Sequence, residues 1–411
     1  MKKDQLLKNT TSLMIFNITK MLFPIVTLPY LTRILSTEAY GTVAYVKTIM
    51  TYMQIFVDFG FMLSATKNIV KVKDDSKKMS RTIGDTLIAR IVLGVIGGVI
   101  VVCMAVSLPI LKKNILYTLL SYIVVFQSIF LMDFVFRGLE TMYVITIRFV
   151  VMKTLSTVLT FVFVKNESNM LLIPIFDILS SFLAIILVIK EMRRMKIKIM
   201  FSNFSNSIHM IKESFVFFLS NVASTSFNAL STLIIGVQIS ASDVAYWSVC
   251  MQIIGSLQAC YSPISDGIYP EMVRSKNINL MKKVLKVLIP VALVGCIVCF
   301  LCADFGMEII GGKEYVVAAP IFRLLIPCIF FGFLAMMFGW PTLGVIDKTK
   351  ETTFTTIASV LIHILLLVWL IIENKFTLVN IAIVRSIADF MLFFMRYMLY
   401  LKFRTLFSNE K

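Results

Sequence analysis

Residues 83–106 read IGDTLIARIVLGVIGGVIVVCMAV, an apolar run that contains only two charged side chains. A helix needs about 20 mostly apolar residues to cross a bilayer, so this run predicts a membrane-spanning helix. Comparable runs recur along the chain. They are too long for barrel strands and lack the period-two alternation of such strands. The sequence therefore predicts an all-α polytopic membrane protein with twelve transmembrane helices. The predicted spans lie near residues 11–33, 40–62, 83–106, 114–136, 144–164, 169–189, 214–236, 244–269, 284–303, 316–339, 352–372 and 377–400.

The composition of the 411-residue chain supports this fold class. It is 58% hydrophobic and 15% charged, whereas soluble domains average about 45–50% apolar and about 25% charged residues. These values exclude a soluble domain and a disordered chain. The net charge of +17 does not indicate a nucleic-acid partner, because Lys and Arg are concentrated in alternate loops. With the N-terminus inside, cytoplasmic segments hold 26 of these residues and outer segments hold 6, which predicts two cytoplasmic termini.

The predicted spans divide into two lobes of six helices. Residues 1–190 would form the N-terminal lobe, residues 191–213 a basic cytoplasmic linker and residues 214–411 the C-terminal lobe. The linker could form an amphipathic helix on the inner leaflet, or it could serve only as a positive-inside anchor, which we favour. No loop is long enough to fold as a domain, so the helices themselves must carry the function.

A short similarity suggests that the lobes are parallel repeats. The segment STEAYGTVAYV at residues 36–46 and the segment SASDVAYWSV at residues 240–249 both precede the second span of a lobe. Each has a Ser, an acidic residue, a small residue and a Tyr. Parallel repeats of this kind are a feature of several transporters.

Ionisable residues inside the spans are the strongest functional signal. Such residues are costly in lipid and usually face a bundle interior or a watery cavity. The first six spans hold an excess of cations over acids, which predicts a cationic cavity suited to an anionic group such as a diphosphate. The alternative is that each cation pairs with an acid and fixes helix packing. The predicted cavity residues are Lys20, Lys47, Arg90, Arg148 and Lys153.

Prolines interrupt several spans. Pro24 and Pro29 lie in the first span, close to Lys20. Proline removes a backbone hydrogen bond and permits bending. We predict that Pro24 and Pro29 are hinges, with tolerated kinks as the alternative.

No catalytic or cofactor site is visible in the sequence. His209 and His363 are isolated, and a Walker-type phosphate loop is absent. The C-x-x-C-x-x-C at Cys296, Cys299 and Cys302 could suggest iron–sulfur ligands. It lies within the apolar ninth span, where small hydrophobic packing is the favoured interpretation. We therefore predict a transporter without cofactor or metal, driven by an ion gradient or by the gradient of its substrate.

The N-terminal region resembles a known family. Residues 23–46 read FPIVTLPYLTRILSTEAYGTVAYV, and residues 58–75 read DFGFMLSATKNIVKVKDD. The Pro-Tyr-Leu-Thr-Arg at 29–33, the Tyr-Gly at 40–41 and the Gly-Phe at 60–61 resemble bacterial O-antigen flippases (Wzx-type). These belong to the polysaccharide-transporter branch of the multidrug/oligosaccharidyl-lipid/polysaccharide exporter superfamily. Ser36 departs from the Gly that the family often has there.

The resemblance implies a flippase of the bacterial inner membrane. It would move O-antigen or polysaccharide repeat units linked to undecaprenyl diphosphate from the cytoplasmic to the periplasmic leaflet. Two lobes would form a V-shaped cavity that opens alternately, with the five cations above facing it. Coupling to H⁺ or Na⁺ is implied, with Asp58, Asp85 and Asp177 as candidates. Membrane lipid would surround the protein, and polysaccharide polymerase and chain-length proteins are possible partners.

Three alternatives remain open. A drug/cation antiporter of the same superfamily would favour an acidic cavity. An O-antigen polymerase or ligase would carry a large periplasmic loop, whereas the longest predicted outer loop is about a dozen residues, near 304–315. A passive channel would show no dependence on a gradient.

Overall fold

The computed structural model describes the backbone of residues 2–407 and the side chains of residues 9–227 and 229–407. This part of the chain is helical, with short connecting turns. The first ten helices are α1 Lys2–Ile34, α2 Thr37–Asp58, α3 Phe61–Val72, α4 Ser76–Ser107, α5 Pro109–Lys113, α6 Ile115–Gln127, α7 Asp133–Gly138, α8 Met142–Phe163, α9 Leu172–Arg194 and α10 Phe204–Gln238. The next seven are α11 Ala241–Ala259, α12 Ser262–Ser275, α13 Ile278–Leu301, α14 Ala303–Gly311, α15 Ala319–Met337, α16 Thr349–Ile372 and α17 Leu378–Phe403.

Ten helical segments among the described residues are long and apolar enough to cross a membrane. The two parts of α10, Phe204–Phe227 and Ala229–Gln238, would together supply an eleventh. The prediction of an all-α multi-pass membrane protein is confirmed, but the number twelve is not reached. The predicted eighth span, 244–269, is divided instead: α11 ends at Ala259, and α12 begins at Ser262. Pro263 lies in the first turn of α12, where its missing N–H costs no helical hydrogen bond.

The two short similar segments begin their helices in the same way. At the start of α2, the Ser36 side chain accepts a hydrogen bond from the backbone N–H of Ala39, at 3.2 Å. At the start of α11, the Ser240 side chain accepts one from Asp243 N–H, at 3.1 Å. A serine at this position satisfies a backbone donor that the first helical turn leaves free. The capped start of the second span is therefore shared by the two predicted repeats.

The chain forms two compact units, which divide between Thr225 and Ser226. In the first unit, α8 packs on α1 and α9, while α6 packs on α2, α4 and α9. Its apolar core includes Ile83, Phe134 and Phe136, all of them fully buried. This arrangement places α2, α6, α8 and α9 side by side around the charged residues described below.

The division of the units lies later than the predicted lobe boundary at residues 190–214. The first part of α10 packs within the first unit: Ser64 and Ser214 share a hydrogen bond of 2.6 Å. The rings of Phe59 and Phe218 stack with centroids 4.3 Å apart. Gly60 has a φ of +81° and lies so close to Phe217 and Phe218 that a Cβ would collide with them. The packing of α10 thus assigns its start to the first unit.

The segment between α9 and α10 is a strap that we define as residues 195–203. It lies against the start of α4: Met200 N–H donates to the carbonyl of Ser80 at 3.0 Å. The Ser202 backbone N–H and hydroxyl donate to the Asp85 carboxylate at 3.0 and 2.5 Å. A Cβ on Gly84 would overlap the Met200 carbonyl group. Because the strap is not helical, a single amphipathic helix across residues 191–213 is wrong.

The second unit is built around α15 and α17, which pack on each other and on α11, α13 and α16. Arg385 and Asp389, one turn apart on α17, form a buried ion pair of 3.0 Å. Arg385 also donates to the carbonyl of Phe227 and lies 3.9 Å from the centre of its ring. Nearby, His363 shares a hydrogen bond of 3.3 Å with Ser231. The Ser231 contact holds the second part of α10 to α16, and the Arg385 contacts hold Phe227, just before the bend of α10, to α17.

Candidate functional site

Three charged residues of the first unit lie near one another on α2, α8 and α9. Lys153 Nζ lies 3.8 Å from Asp177 Oδ1, and Lys47 interacts electrostatically with both residues. The side chains of Lys153 and Asp177 are 38% and 33% exposed, and Lys47 is also exposed. Exposed charges in the middle of apolar spans indicate a water-accessible site rather than a lipid-facing one. We call Lys47, Lys153 and Asp177 the charged cluster.

Polar residues surround the charged cluster. The Ser156 hydroxyl, one turn after Lys153 on α8, donates to Asp177 Oδ1 at 2.6 Å. Tyr117 on α6 lies near Asp177 and near Tyr40 of α2. Both tyrosines and Ser156 are buried. The carboxylate is therefore held from one side by a hydroxyl, while its charge balances one lysine of two.

Arg90 is held in a different way. Its guanidinium donates to Asp58 at 2.5 Å and to the carbonyl of Ile129 at 3.1 Å. The Asp58 carboxylate also accepts from Gln54 at 2.9 Å. The Arg90 and Asp58 side chains are 5% and 29% exposed. The arrangement ties α4 to α2 and to the 3-10 turn at Ser128–Leu131.

Arg148 is also paired. It forms an ion pair with Asp133, and the two side chains are 4% and 23% exposed. This contact joins α8 to the first residue of α7. For Arg90 and Arg148 the geometry matches the packing role that the sequence left open as the alternative to substrate contact.

Lys20 lies apart from these pairs. Its side chain is exposed on α1 and makes no ion pair with the described residues. α1 runs without interruption through Pro24 and Pro29. Because Pro24 has no N–H, the carbonyl of Lys20 lacks its usual helical donor. Pro24 and Pro29 therefore remain predicted hinges, and the first missing helical hydrogen bond is the one to the carbonyl of Lys20.

The three acids predicted for ion coupling have three different surroundings. Asp58 is paired with Arg90, and Asp85 holds the strap through Ser202. Asp177 is in the charged cluster, beside a half-exposed lysine. Among these three, only the surroundings of Asp177 combine water access with a loosely held partner.

Sequence reasoning missed several partners. Asp133 is not among the predicted site residues, although it pairs with Arg148, and the pairing of Asp58 with Arg90 was not predicted either. Ser156 was not singled out. Its spacing of three from Lys153 puts both on one helix face and could have indicated it. The Asp133 and Asp58 pairings join separate helices, so spacing along one helix did not reveal them.

Comparison with known proteins adds the family. Residues 6–276 match the family described as "Polysaccharide biosynthesis protein". A candidate O-antigen transporter of Escherichia coli strain K12 is 25% identical over 377 residues, covering 89% of this chain and 90% of that protein. A candidate O-antigen transporter of Shigella dysenteriae is 25% identical over 322 residues, covering 75% and 78%.

Solved structures show the same fold. The lipid II flippase MurJ in an inward closed conformation has a TM-score of 0.73 at 13% identity, covering 96% of this chain and 87% of that one. An inward-facing multidrug resistance MATE family transporter of the MOP superfamily has a TM-score of 0.67 at 13% identity, covering 97% and 96%. The predicted family resemblance is confirmed, as is the prediction of a transporter rather than an enzyme. With a match that spans most of its length, the chain belongs to the polysaccharide biosynthesis protein family.

Proposed function

We propose that the protein is a flippase for lipid-linked oligosaccharides in the inner membrane of a bacterium. Its substrate would be a repeat unit on undecaprenyl diphosphate, carried from the cytoplasmic to the periplasmic leaflet by alternating access. Both termini would be cytoplasmic. The relatives named as candidate O-antigen transporters and the MurJ-like fold support this proposal. The observation that carries it is the charged cluster of Lys47, Lys153 and Asp177.

The charge of this cluster suits a diphosphate. Two lysines face one carboxylate, so the cluster has a formal excess of one positive charge. An unbalanced charge between apolar helices is costly unless water or a partner of opposite sign reaches it. A lipid-linked diphosphate supplies such a partner, because phosphate oxygens accept charge-assisted hydrogen bonds from ammonium groups.

The other predicted residues take distinct roles in this proposal. Lys47 and Lys153 contact the diphosphate, and exposed Lys20 meets substrate on its way along α1. Arg90 and Arg148 keep the helices of the first unit in place through Asp58 and Asp133. If transport is coupled to H⁺ or Na⁺, Asp177 is the acid best placed to sense the ion, because it is accessible and next to the substrate lysines.

The test is replacement of Lys47 and Lys153 by Gln, singly and together, in the chromosomal gene of the host. Each lysine contributes a charge-assisted contact of about 1.5–3 kcal/mol, so each single variant should lose roughly tenfold or more in transport. We expect loss of surface polysaccharide and accumulation of lipid-linked repeat units. The control is Lys112→Gln, which changes an exposed lysine outside the cluster.

Full surface polysaccharide in the double variant, at equal amounts of protein in the membrane, would contradict the proposal. A drug/cation antiporter would instead leave the polysaccharide unchanged and alter drug sensitivity. A polymerase or ligase would let lipid-linked repeat units reach the outer leaflet without being polymerised or transferred.

A further inference from the structure

The three intramembrane ion pairs of the first unit described above differ in the distance between the two charged groups and in how exposed their side chains are. Arg90 and Arg148 contact their acids within hydrogen-bond distance, and both arginines are almost fully buried. The Lys153–Asp177 distance of 3.8 Å is longer than a hydrogen bond, and both side chains are about one third exposed. Lys153 can therefore exchange its partner for another anion without breaking a buried, closed contact.

Asp177 has a second contact besides Lys153. Its Oδ1 accepts a hydrogen bond of 2.6 Å from buried Ser156, and Oδ1 is also the oxygen nearest to Lys153. Ser156 is anchored on α8, so it can hold the carboxylate while the lysine moves. The acid is thus held more closely by Ser156 than by Lys153, and Lys153 is the less constrained member of the ion pair.

We propose that the Asp177 carboxylate is the resident anion of the charged cluster: it pairs with Lys153 when no substrate is bound. It then competes with the phosphates of the substrate for Lys153. This rests on the proposed function. When a lipid diphosphate enters, its phosphate oxygens replace the Asp177 carboxylate as the ionic partner of Lys153 and Lys47. When the substrate has reached the other leaflet, Asp177 recovers Lys153 and favours release of the diphosphate. Asp177 is in this sense a positioning residue, because it acts through Lys153.

The proposal predicts opposite effects on binding and transport. Asp177→Asn retains an oxygen that accepts from Ser156 but removes the negative charge. A charge about 6 Å from a phosphate in a partly watery site repels it, so its loss should tighten binding by about fivefold to a hundredfold. Release should slow, and transport should fall severalfold. A pair with only a structural role would not tighten binding.

The experiment measures binding of undecaprenyl diphosphate to the purified full-length protein in nanodiscs, by native mass spectrometry, together with surface polysaccharide in cells. The variants are Asp177→Asn and Lys153→Gln, and the matched control is Asp74→Asn in an exposed loop. We expect tighter binding with weaker transport for Asp177→Asn. We expect weaker binding for Lys153→Gln and wild-type behaviour for Asp74→Asn. The unfolding temperature of each preparation is recorded.

The outcomes separate the two proposals. If wild-type protein binds the lipid diphosphate and Asp177→Asn binds it equally or more weakly, the resident-anion role is refuted. A lower unfolding temperature with unchanged affinity would likewise refute it and assign Asp177 to packing. If wild-type and Lys153→Gln proteins both fail to bind undecaprenyl diphosphate, the proposed substrate class itself is refuted.

Discussion

Removal of the Asp58 charge tests whether Arg90 holds helices together or touches substrate. In Asp58→Asn the side chain keeps its size and one acceptor oxygen, but the buried Arg90 guanidinium loses its counter-charge. Arg90 is 5% exposed, so it has little water to replace the carboxylate. The substitution should therefore act on stability first and on transport only as a consequence.

The size of the effect follows from the contacts. Removing one member of a buried ion pair costs about 3–5 kcal/mol, because the other charge is left unpaired. Here the lower end is expected, about 3 kcal/mol. Arg90 keeps its hydrogen bonds to the carbonyls of Ile129 and Ser128, and Asp58 itself is 29% exposed. Replacing both members, as in Asp58→Leu with Arg90→Met, removes the unpaired charge and should restore most of the stability.

The assay follows the folded fraction of detergent-purified protein on heating by size-exclusion chromatography, in parallel with surface polysaccharide in cells. Asp58→Asn should unfold at a lower temperature, the double variant should recover, and Asp74→Asn should match the wild type. A stable double variant that does not transport would refute the reasoning, because Arg90 would then be needed for substrate. Unchanged stability of Asp58→Asn would refute it as well.

Two further substitutions test other parts of the fold. Gly84→Ala should cost about 1–3 kcal/mol by overpacking and make the strap at 195–203 sensitive to limited proteolysis, because the new Cβ meets the Met200 backbone. Gly295→Ala, in a helix with open space around it, should be neutral or slightly stabilising, and equal behaviour of the two variants would contradict this. Arg385→Gln should lower stability by about 3–5 kcal/mol, since Asp389 is left buried and unpaired. Arg274→Gln at an exposed pair should leave the unfolding temperature unchanged, and a similar loss in both would count against the Arg385 argument.

Much of the fold could be predicted from the sequence because lipid imposes strict local rules. Every backbone group in the bilayer core needs an internal partner, so long apolar runs form helices whatever their neighbours are. Helices α4, α13 and α16 accordingly lie where the apolar runs place them. The count of twelve is not confirmed, because α11 ends at Ala259 before Pro263 and α10 is bent between Phe227 and Ala229.

The candidate site could be predicted only in part. The sequence marked Lys47, Lys153 and Asp177 as costly charges in apolar spans, and the structure brings them together. The sequence marked Arg90 and Arg148 for the same reason, yet each of these arginines forms an ion pair with an acid on another helix. The free-energy cost of placing a charge in lipid is a property of each residue and can be read from the sequence. The acid that offsets this cost lies on a separate helix and can be identified only from the packing.

A multi-pass helical membrane protein with a resemblance to an exporter family can be recognised without the structure, because hydropathy, charge asymmetry and the N-terminal motif are local features of the chain. Which charges are paired and buried, and which remain accessible to water, depends on how the helices pack. The distinction between Arg90, sealed by Asp58, and Lys153, loosely facing Asp177, depends on distances of an ångström or so between separate helices. Ion-pair contacts depend on such small differences, and no spacing along one helix encodes them.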